Sequence, residues 1–353
     1  HSTAACYRED TATRLAEGAP GFYEYRPLTN STENFRRHYR FFLLVSETGT
    51  PVPNTGRISI VDVDGNRRTL LDGLPSGIND VNEPSGPAGL FMRGRSLYVA
   101  IGIGDAVLAG PLPGTNLPNP NPSSPIFNSI LAIHLSANLE RTTAGFTLTL
   151  ADQQSLASGE HVTLSNGVGD AIMVELVSNL PGYTPNPLPF LANNVRGVNP
   201  FDLVLVGHQV YVTDGAQNSL WQVDIPTGAF SILATFPDIT NPFFPGLGGP
   251  FIEPVPTGVR YSDGQLLVTL FKGFPFLPGT SEVCAVDPKT GSQTSFVPEL
   301  TAAIDVAALR EGSDTDRFRP ISADDCHKIV TSLWGEPEPT LADFIARKLS
   351  DQE

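Results

Sequence analysis

A unit of short apolar strands recurs along this chain, and it restricts the possible fold more than any other feature. In each unit an apolar strand is followed by a loop, an alternating strand and a glycine turn, as at positions 210–214, 219–224 and 227–228. The central valines of five units, at 45, 99, 212, 268 and 330, lie 54, 113, 56 and 62 residues apart. Because 113 is about twice the usual step, we expect a degenerate copy at Phe146-Thr147-Leu148-Thr149-Leu150.

Six copies of three or four short strands, with a mean spacing of about 57 residues, predict an all-β fold, a six-bladed β-propeller. A seven-bladed ring is the alternative. It would need two hidden copies between positions 99 and 212. The 33 Gly and 32 Pro residues cluster between the apolar runs, as turns require. We expect one propeller domain over residues 1–353, with 336–353 as an appendage that carries a helix at 341–349.

The charge and the apolar runs exclude two classes of partner. A net charge of −15 disfavours nucleic acid, because binding to its backbone needs clustered Lys and Arg. No segment approaches the roughly 18 unbroken apolar residues of a membrane helix, so no membrane span is expected. The sequence leaves the oligomeric state open.

The chain has three cysteines. A closed ring would bring Cys6 and Cys326 together, and a disulfide between them would imply an oxidising compartment. Cys284 lies in an alternating strand and is expected to be a small buried hydrophobe. The alternative is that all three are unpaired thiols.

Several segments of the repeats resemble the ScyD/ScyE family of propellers between about positions 40 and 310. The segments are PTGV at 256–259, DGQLLV at 263–268, KGFPFLPG at 272–279 and NPFDLV at 199–204. Lys272 stands where that family usually has Thr, and Asp202 where it usually has Gly. The chain is also similar, more distantly, to NHL-repeat and SMP-30/gluconolactonase-like six-bladed propellers, some of which are metal-dependent lactonases.

The resemblance implies an exported protein, secreted or periplasmic, and an accessory role in the biosynthesis of a secondary metabolite. It carries over no established set of catalytic residues. In such propellers the functional sites lie on the central channel, so polar residues in the loops that enter the inner strands become candidates.

The candidate metal ligands are the polar residues of these entry loops, namely Glu83, Asn199, Asp202, Glu253 and Asp305. Carboxylate and amide oxygens suit Ca²⁺ or another divalent cation. Such an ion would polarise an ester or lactone carbonyl and lower the pKa of a bound water, with Asp202, Glu83 and His38 as catalytic residues. The alternative is that each side chain caps a turn. Asp214, Gln217 and Asn218 follow an inner strand and are expected to be structural. His134 and His208 are expected to be structural or surface groups.

Proline-rich insertions carry exposed aromatic candidates. Phe243, Phe244, Phe274 and Phe276 are predicted to bind a small hydrophobic ligand or a lactone or ester. Alternatively, the insertions pack on one another as a satellite core. A metal-assisted hydrolase acting at the channel is the favoured function. The alternatives are a non-catalytic propeller that binds a ligand or partner, or an accessory protein of secondary metabolism.

Overall fold

The computed structural model describes residues 4–8, 41–61, 65–137 and 144–307. Contacts divide the chain into two compact units. One comprises His1–Ala5, Val45–Ser59 and Thr69–Glu311, and the other comprises Cys6–Leu44, Ile60–Arg68 and Gly312–Glu353. Nearly all described residues belong to the first unit. His38, Cys326, the weak repeat around position 330 and the helix predicted at 341–349 lie outside the described residues, and the single propeller domain stays a prediction.

The described residues form short strands and one helix, α1 (Leu150–Ala157). The strands of the first half are β1 (Ala4–Arg8), β2 (Phe41–Glu47), β3 (Gly56–Val61), β4 (Arg67–Leu74), β5 (Gly77–Ile78), β6 (Pro84–Ser85), β7 (Pro87–Arg93), β8 (Ser96–Ile101), β9 (Val107–Ala109), β10 (Asn116–Pro118), β11 (Ser129–His134), β12 (Phe146–Thr147) and β13 (Val162–Ser165). Those of the second half are β14 (Ala171–Asn179), β15 (Tyr183–Pro185), β16 (Val195–Gly197), β17 (Pro200–Val206), β18 (Gln209–Asp214), β19 (Ser219–Asp224), β20 (Phe230–Thr235), β21 (Ile239–Thr240), β22 (Phe251–Ile252), β23 (Pro256–Ser262), β24 (Gln265–Leu270), β25 (Ser281–Val286) and β26 (Gln293–Leu300).

Four larger sheets account for most of these strands. Their strand orders are β1-β2-β3-β4-β12, β13-β14-β11-β8-β7, β17-β18-β19-β20 and β23-β24-β25-β26. The last two are antiparallel meanders, since each strand pairs with the next one in sequence. Four two-stranded ribbons, β5-β6, β9-β10, β15-β16 and β21-β22, lie in the connections.

Three sheets follow one another through their first strands. Strand β7 lies beside β17, and β17 lies beside β23, while the remaining strands of each sheet extend away from this line. This succession of antiparallel sheets is typical of propeller blades. The prediction of an all-β, propeller-like fold is therefore confirmed at this level, whereas the count of six blades stays a prediction.

The core lies between successive sheets and follows from the alternation of apolar side chains. Leu203 and Val212 point into one cluster with Ala100 and Ile130 of the preceding sheet. Val204 and other residues of the opposite face pack against the following sheet in a second cluster. Because successive side chains of a strand point to opposite faces, both faces of the third sheet are buried.

The structure corrects the strand predicted over residues 146–150. Only Phe146 and Thr147 form a strand, which pairs in parallel with β4. Helix α1 begins directly afterwards. The Thr149 hydroxyl accepts from the Asp152 N–H, and the Asp152 carboxylate accepts from the Thr149 N–H, which forms a capping box. The apolar alternation at 146–150 resembled a strand, but this cap favours a helix.

Cys284 lies in β25 and is a free, buried thiol, as expected. Burial raises its pKa to about 11, with Glu282 as a second cause. Cys6 lies in β1. Since Cys326 lies outside the described residues, the predicted disulfide stays a prediction.

Glycines allow the first strands of neighbouring sheets to approach closely. A Cβ atom added at Gly89 would lie 2.5 Å from the Asp202 Cα and 2.9 Å from the Phe201 carbonyl oxygen. A Cβ added at Gly258 would lie 2.8 Å from the Asp305 Cα. These neighbouring atoms belong to the backbone, so a side chain at Gly89 would push β7 away from β17. A side chain at Gly258 would push β23 away from the segment after β26 that contains Asp305.

We expect Gly89→Ala to lower the free energy of unfolding by about 1–3 kcal/mol, the usual cost of overpacking. Chemical denaturation of the whole chain measures this. Gly215→Ala is the matched control, because its Cβ would meet nothing closer than the Val255 Cγ1 at 3.4 Å. Equal stability losses in the two variants would contradict the proposed close packing of β7 against β17.

Candidate functional site

Asp202 occupies the irregular start of β17, where the pairing with β18 shifts register between Pro200 and Leu203. Strands β7 and β23 show the same shift after their first proline. Such an irregularity redirects a side chain out of the regular alternation. The Asp202 N–H donates to the Thr213 Oγ1 at 3.0 Å, and this hydroxyl donates to the Thr257 carbonyl oxygen at 2.6 Å. The backbone around Asp202 is therefore tied to the following sheet.

The Asp202 carboxylate reaches the next sheet directly. Its Oδ2 accepts from the Val259 N–H at 3.0 Å and pairs with the Arg260 Nη1. Arg260 Nη2 lies 2.8 Å from the Asp305 Oδ2. One guanidinium thus joins a buried carboxylate, Asp202, to an exposed one, Asp305.

Burial dominates the electrostatics of Asp202. Loss of solvation raises the pKa of this carboxyl above its ordinary value of 3.8, while Arg260 and the Val259 N–H act in the opposite direction. The Asp202 Oδ1 is buried and has no hydrogen-bond partner among the residues described. Asp202 is therefore a carboxyl group with one oxygen held and the other free.

The other predicted metal ligands have separate partners. The Asn199 Oδ1 accepts from the Ile103 N–H at 3.0 Å. Glu253 is exposed and pairs with the Arg196 Nη2 at 2.8 Å. Glu83 is exposed in the β5–β6 connection, where its N–H donates to the Asn79 Oδ1 at 2.8 Å.

The five predicted ligands are thus not gathered around one point. Asp202 and Asp305 share Arg260, whose positive charge occupies the place that a cation would need. Within the ranges that the structure describes, no group of three or more His, Cys, Asp or Glu side chains is arranged to hold a metal ion. The residues as placed do not fit an axial calcium site, so the calcium site and the role of His38 stay predictions without support from this geometry.

Asp214, Gln217 and Asn218 hold the loops together, in agreement with the structural role predicted for them. The buried Asp214 Oδ1 accepts from the N–H groups of Asn199, Ala216 and Gln217, and its Oδ2 accepts from the Trp221 Nε1. Burial is the largest influence on Asp214 and raises its pKa. The Gln217 amide donates to the Arg196 and Gly197 carbonyl oxygens, and the Asn218 Oδ1 accepts from the Val255 N–H.

The four predicted ligand-binding phenylalanines lie in two insertions, which we call the aromatic loops (residues 241–251 and 271–280). About half of each side chain is exposed, with values of 54%, 52%, 55% and 52% for Phe243, Phe244, Phe274 and Phe276. The Phe274 and Phe276 rings pack edge to face with centroids 5.9 Å apart. A Cβ at Gly248 would lie 3.3 Å from the Phe274 ring, so the two loops are neighbours.

The first aromatic loop is shaped by a buried asparagine that the sequence reasoning missed. The Asn241 side chain donates to the Leu247 and Gly249 carbonyl oxygens at 2.6 and 2.8 Å and accepts from the Phe243 N–H at 3.0 Å. In the second loop, the N–H groups of residues 271–273 donate to the carbonyl oxygens of residues 253–255. Hydrogen bonds from the Asn241 side chain in the first loop and from backbone N–H groups in the second therefore keep the loops in place while the rings remain exposed.

Two further residues that the sequence reasoning missed are Arg196 and Arg260. Their spacing from their partners could have revealed both. Arg196 and Glu253 are 57 residues apart, and Asp202 and Arg260 are 58 apart, which is one repeat. Charged residues of opposite sign at the repeat distance thus indicate ion pairs between neighbouring blades.

Comparison with known proteins leaves the family open. No family model and no curated protein matches the chain. Among solved structures, a crystal structure of a puromycin hydrolase mutant complexed with PGG matches with 13% identity and a TM-score of 0.19, over 76% of this chain. The chain spans about half the length of that structure, of which 47% is covered. A likeness at this TM-score supports no inference about fold or function.

The resemblance to the ScyD/ScyE family therefore stays a prediction. A search of the described residues for a helix long and apolar enough to cross a membrane finds none.

We expect the pH dependence of stability to change in Asp202→Asn. Because the folded-state pKa of Asp202 is raised, the folded protein binds more protons than the unfolded chain between about pH 3.8 and that pKa. The contribution of Asp202 to the free energy of unfolding is thus fully present below about pH 3.8 and is lost as the pH rises through the folded-state pKa. Relative to Asp202→Asn, the wild type should lose stability over this interval in chemical denaturation.

Arg260→Met provides the second arm of this test. It removes the charge that opposes the shift, so the loss of stability should extend to higher pH than in the wild type. If the wild type instead gains stability relative to Asp202→Asn as pH rises, the ion pair outweighs burial and the raised pKa is wrong.

Proposed function

We propose that the protein is a ligand-binding propeller whose aromatic loops bind a small, neutral, apolar molecule. The main observation in support is that four phenylalanines from two neighbouring insertions each keep about half of their surface exposed. Phe251 and Leu247 extend this surface with 59% and 46% exposure. Exposed apolar groups that are contiguous tend to mark binding surfaces.

The hydrogen bonds of the loops support this proposal. Asn241 and the pairing of residues 271–273 with 253–255 hold the backbone independently of the rings. A surface that is ordered before binding loses less conformational entropy when a ligand arrives. An aromatic ligand could pack edge to face against these rings in the geometry that Phe274 and Phe276 already adopt.

The charge of the chain favours a neutral ligand over an anionic one. The net charge is −15, which repels anions at long range. Near the aromatic loops, the exposed Glu253 and the guanidinium of Arg196 pair with each other. Affinity would therefore come from apolar contact.

We expect Phe274→Ala to weaken binding of the neutral apolar dye Nile red by about 4- to 12-fold, because a ligand can bury only the exposed half of this ring, which contributes about 0.8–1.5 kcal/mol. Fluorescence titration measures the dissociation constant. Phe296→Ala is the matched control, because this ring is 57% exposed but lies on the outer strand β26. The proposal is wrong if both variants bind the dye equally or if Phe274→Ala binds like the wild type.

A lactone or ester hydrolase acting near Asp202 is the second candidate, and one observation favours it. A buried carboxyl with a raised pKa and one oxygen without a partner among the described residues could exchange a proton with a substrate. Export and a role in secondary metabolism rest on the resemblance alone, and a catalytic metal rests on the residue types of the entry loops.

A screen of lactones and aryl esters tests this second candidate. If Asp202 transfers a proton, Asp202→Asn should lower kcat by about 100-fold or more for any substrate found. Phe274→Ala should then raise KM and leave kcat unchanged. Equal kcat in wild type and Asp202→Asn, with circular dichroism showing both folded, would exclude this role, and inactivation by a chelator would identify a metal requirement.

A further inference from the structure

Four long segments of the chain carry no charged side chain, and we call them the insertion segments. They span residues 106–128, 178–195, 239–252 and 273–281. The first two contain most of the ribbons β9–β10 and β15–β16, and the last two contain most of the aromatic loops. Because 17% of the residues in the whole chain are charged, the insertion segments differ in polarity from the rest of this acidic protein.

The insertion segments lie side by side. Strand β10 lies beside β16, and the Asn116 N–H donates to the Asn194 Oδ1 at 2.8 Å, which joins the first segment to the second. Arg196 directly follows the second segment and pairs with Glu253, which directly follows the third. The third and fourth segments hold the aromatic loops, which are neighbours. The uncharged segments thus form a continuous series.

Each insertion segment exposes large apolar side chains. Leu112 in the β9–β10 connection is 50% exposed, and Phe190 in the β15–β16 connection is 65% exposed. The rings of the aromatic loops add the exposed phenylalanines described above. Exposed apolar groups on neighbouring segments tend to mark an interaction surface.

The polar groups of these segments are engaged within the segments themselves. The Thr115 hydroxyl donates to the Leu112 carbonyl oxygen at 2.6 Å, and the Asn194 amide donates to the Asn186 carbonyl oxygen at 2.7 Å. Asn241 likewise serves its own loop. Nearly half of the 32 prolines lie here, and proline has no N–H to leave without a partner.

This pattern favours a lipid surface over a protein partner. A protein interface uses about one hydrogen bond per 100–200 Å², whereas these segments present apolar side chains. Burial in lipid requires that backbone polar groups be satisfied internally, as hairpins and proline-rich turns allow. Anionic lipids attract Lys and Arg, which the segments lack, and the net charge of −15 repels them. A zwitterionic surface is therefore the best match.

We propose that the insertion segments dock on a zwitterionic lipid surface. Leu112, Phe190 and the aromatic loops would enter the interfacial region, where aromatic and aliphatic side chains are favoured. The proposal goes beyond the proposed ligand binding and does not depend on it, because Leu112 and Phe190 lie outside the aromatic loops.

Sedimentation of the full chain with phosphatidylcholine vesicles tests the proposal. The wild type should bind, and added NaCl should not weaken binding, because the contact is uncharged. Leu112→Ser and Phe190→Ser should each weaken binding by about 5- to 10-fold, since the bilayer buries the exposed half or more of each side chain. Vesicles that contain phosphatidylserine should bind less at low salt, because the chain is acidic.

Ile232→Ser and Phe296→Ser are the matched controls. These side chains are 48% and 57% exposed on the outer strands β20 and β26, and both variants should bind vesicles like the wild type. Circular dichroism shows whether each variant is folded. The proposal is overturned if the wild type does not bind phosphatidylcholine vesicles, or if Leu112→Ser and Phe190→Ser bind as well as the two controls.

Two further measurements separate this proposal from its alternatives. Nile red titration without lipid should give the same dissociation constant for the wild type, Leu112→Ser and Phe190→Ser, so the ligand site and the lipid surface can fail independently. Sedimentation velocity tests whether a second copy covers the surface instead. If Leu112→Ser and Phe190→Ser dissociate a dimer and leave vesicle binding unchanged, the lipid proposal is wrong.

Discussion

The close approach of the first strands of neighbouring sheets is the contact on which the third and fourth sheets depend. Gly89 on β7 faces the Asp202 backbone on β17, and Gly258 on β23 faces the Asp305 backbone in the segment that follows β26. The Asp202 carboxylate in turn accepts from the Val259 N–H of the following sheet. The residue two places after the first proline is thus a closely packed glycine in β7 and a buried aspartate in β17.

Two buried carboxylates illustrate different ways of compensating lost solvation. Asp214 accepts from three backbone N–H groups and the Trp221 indole, so both of its oxygens have partners. Asp202 relies on one N–H and the guanidinium of Arg260, and its second oxygen has no partner in the described part of the chain. A buried carboxylate whose two oxygens both have hydrogen-bond partners, such as Asp214, suits a purely structural role in a turn. The unsatisfied oxygen is what makes Asp202 a chemical candidate.

The repeat allowed much of the fold to be predicted, because strands of alternating apolar residues follow from side-chain period alone. It failed at residues 146–150, where the alternation continues but Thr149 and Asp152 cap a helix. The aromatic loops were found because proline and phenylalanine are distinctive in sequence. The cation site was predicted from residue type. An acidic residue type alone does not show whether the carboxylate binds calcium or pairs with an arginine one repeat away. In the structure, Arg196 pairs with Glu253 and Arg260 pairs with Asp202, so arginines provide the positive charge that had been assigned to a metal ion.

The separation of apolar and charged features follows from how the loops are held. The Phe243 and Phe274 rings remain exposed because hydrogen bonds from Asn241 and from residues 271–273, rather than ring packing, fix the loop backbones. The charged groups nearby are engaged in pairs, such as Arg196 with Glu253, which leaves them less free to contact a ligand. An apolar molecule could thus bind without displacing an ion pair. Chemistry at Asp202, in contrast, would have to work against the pairing with Arg260, and for this reason the geometry favours binding over catalysis.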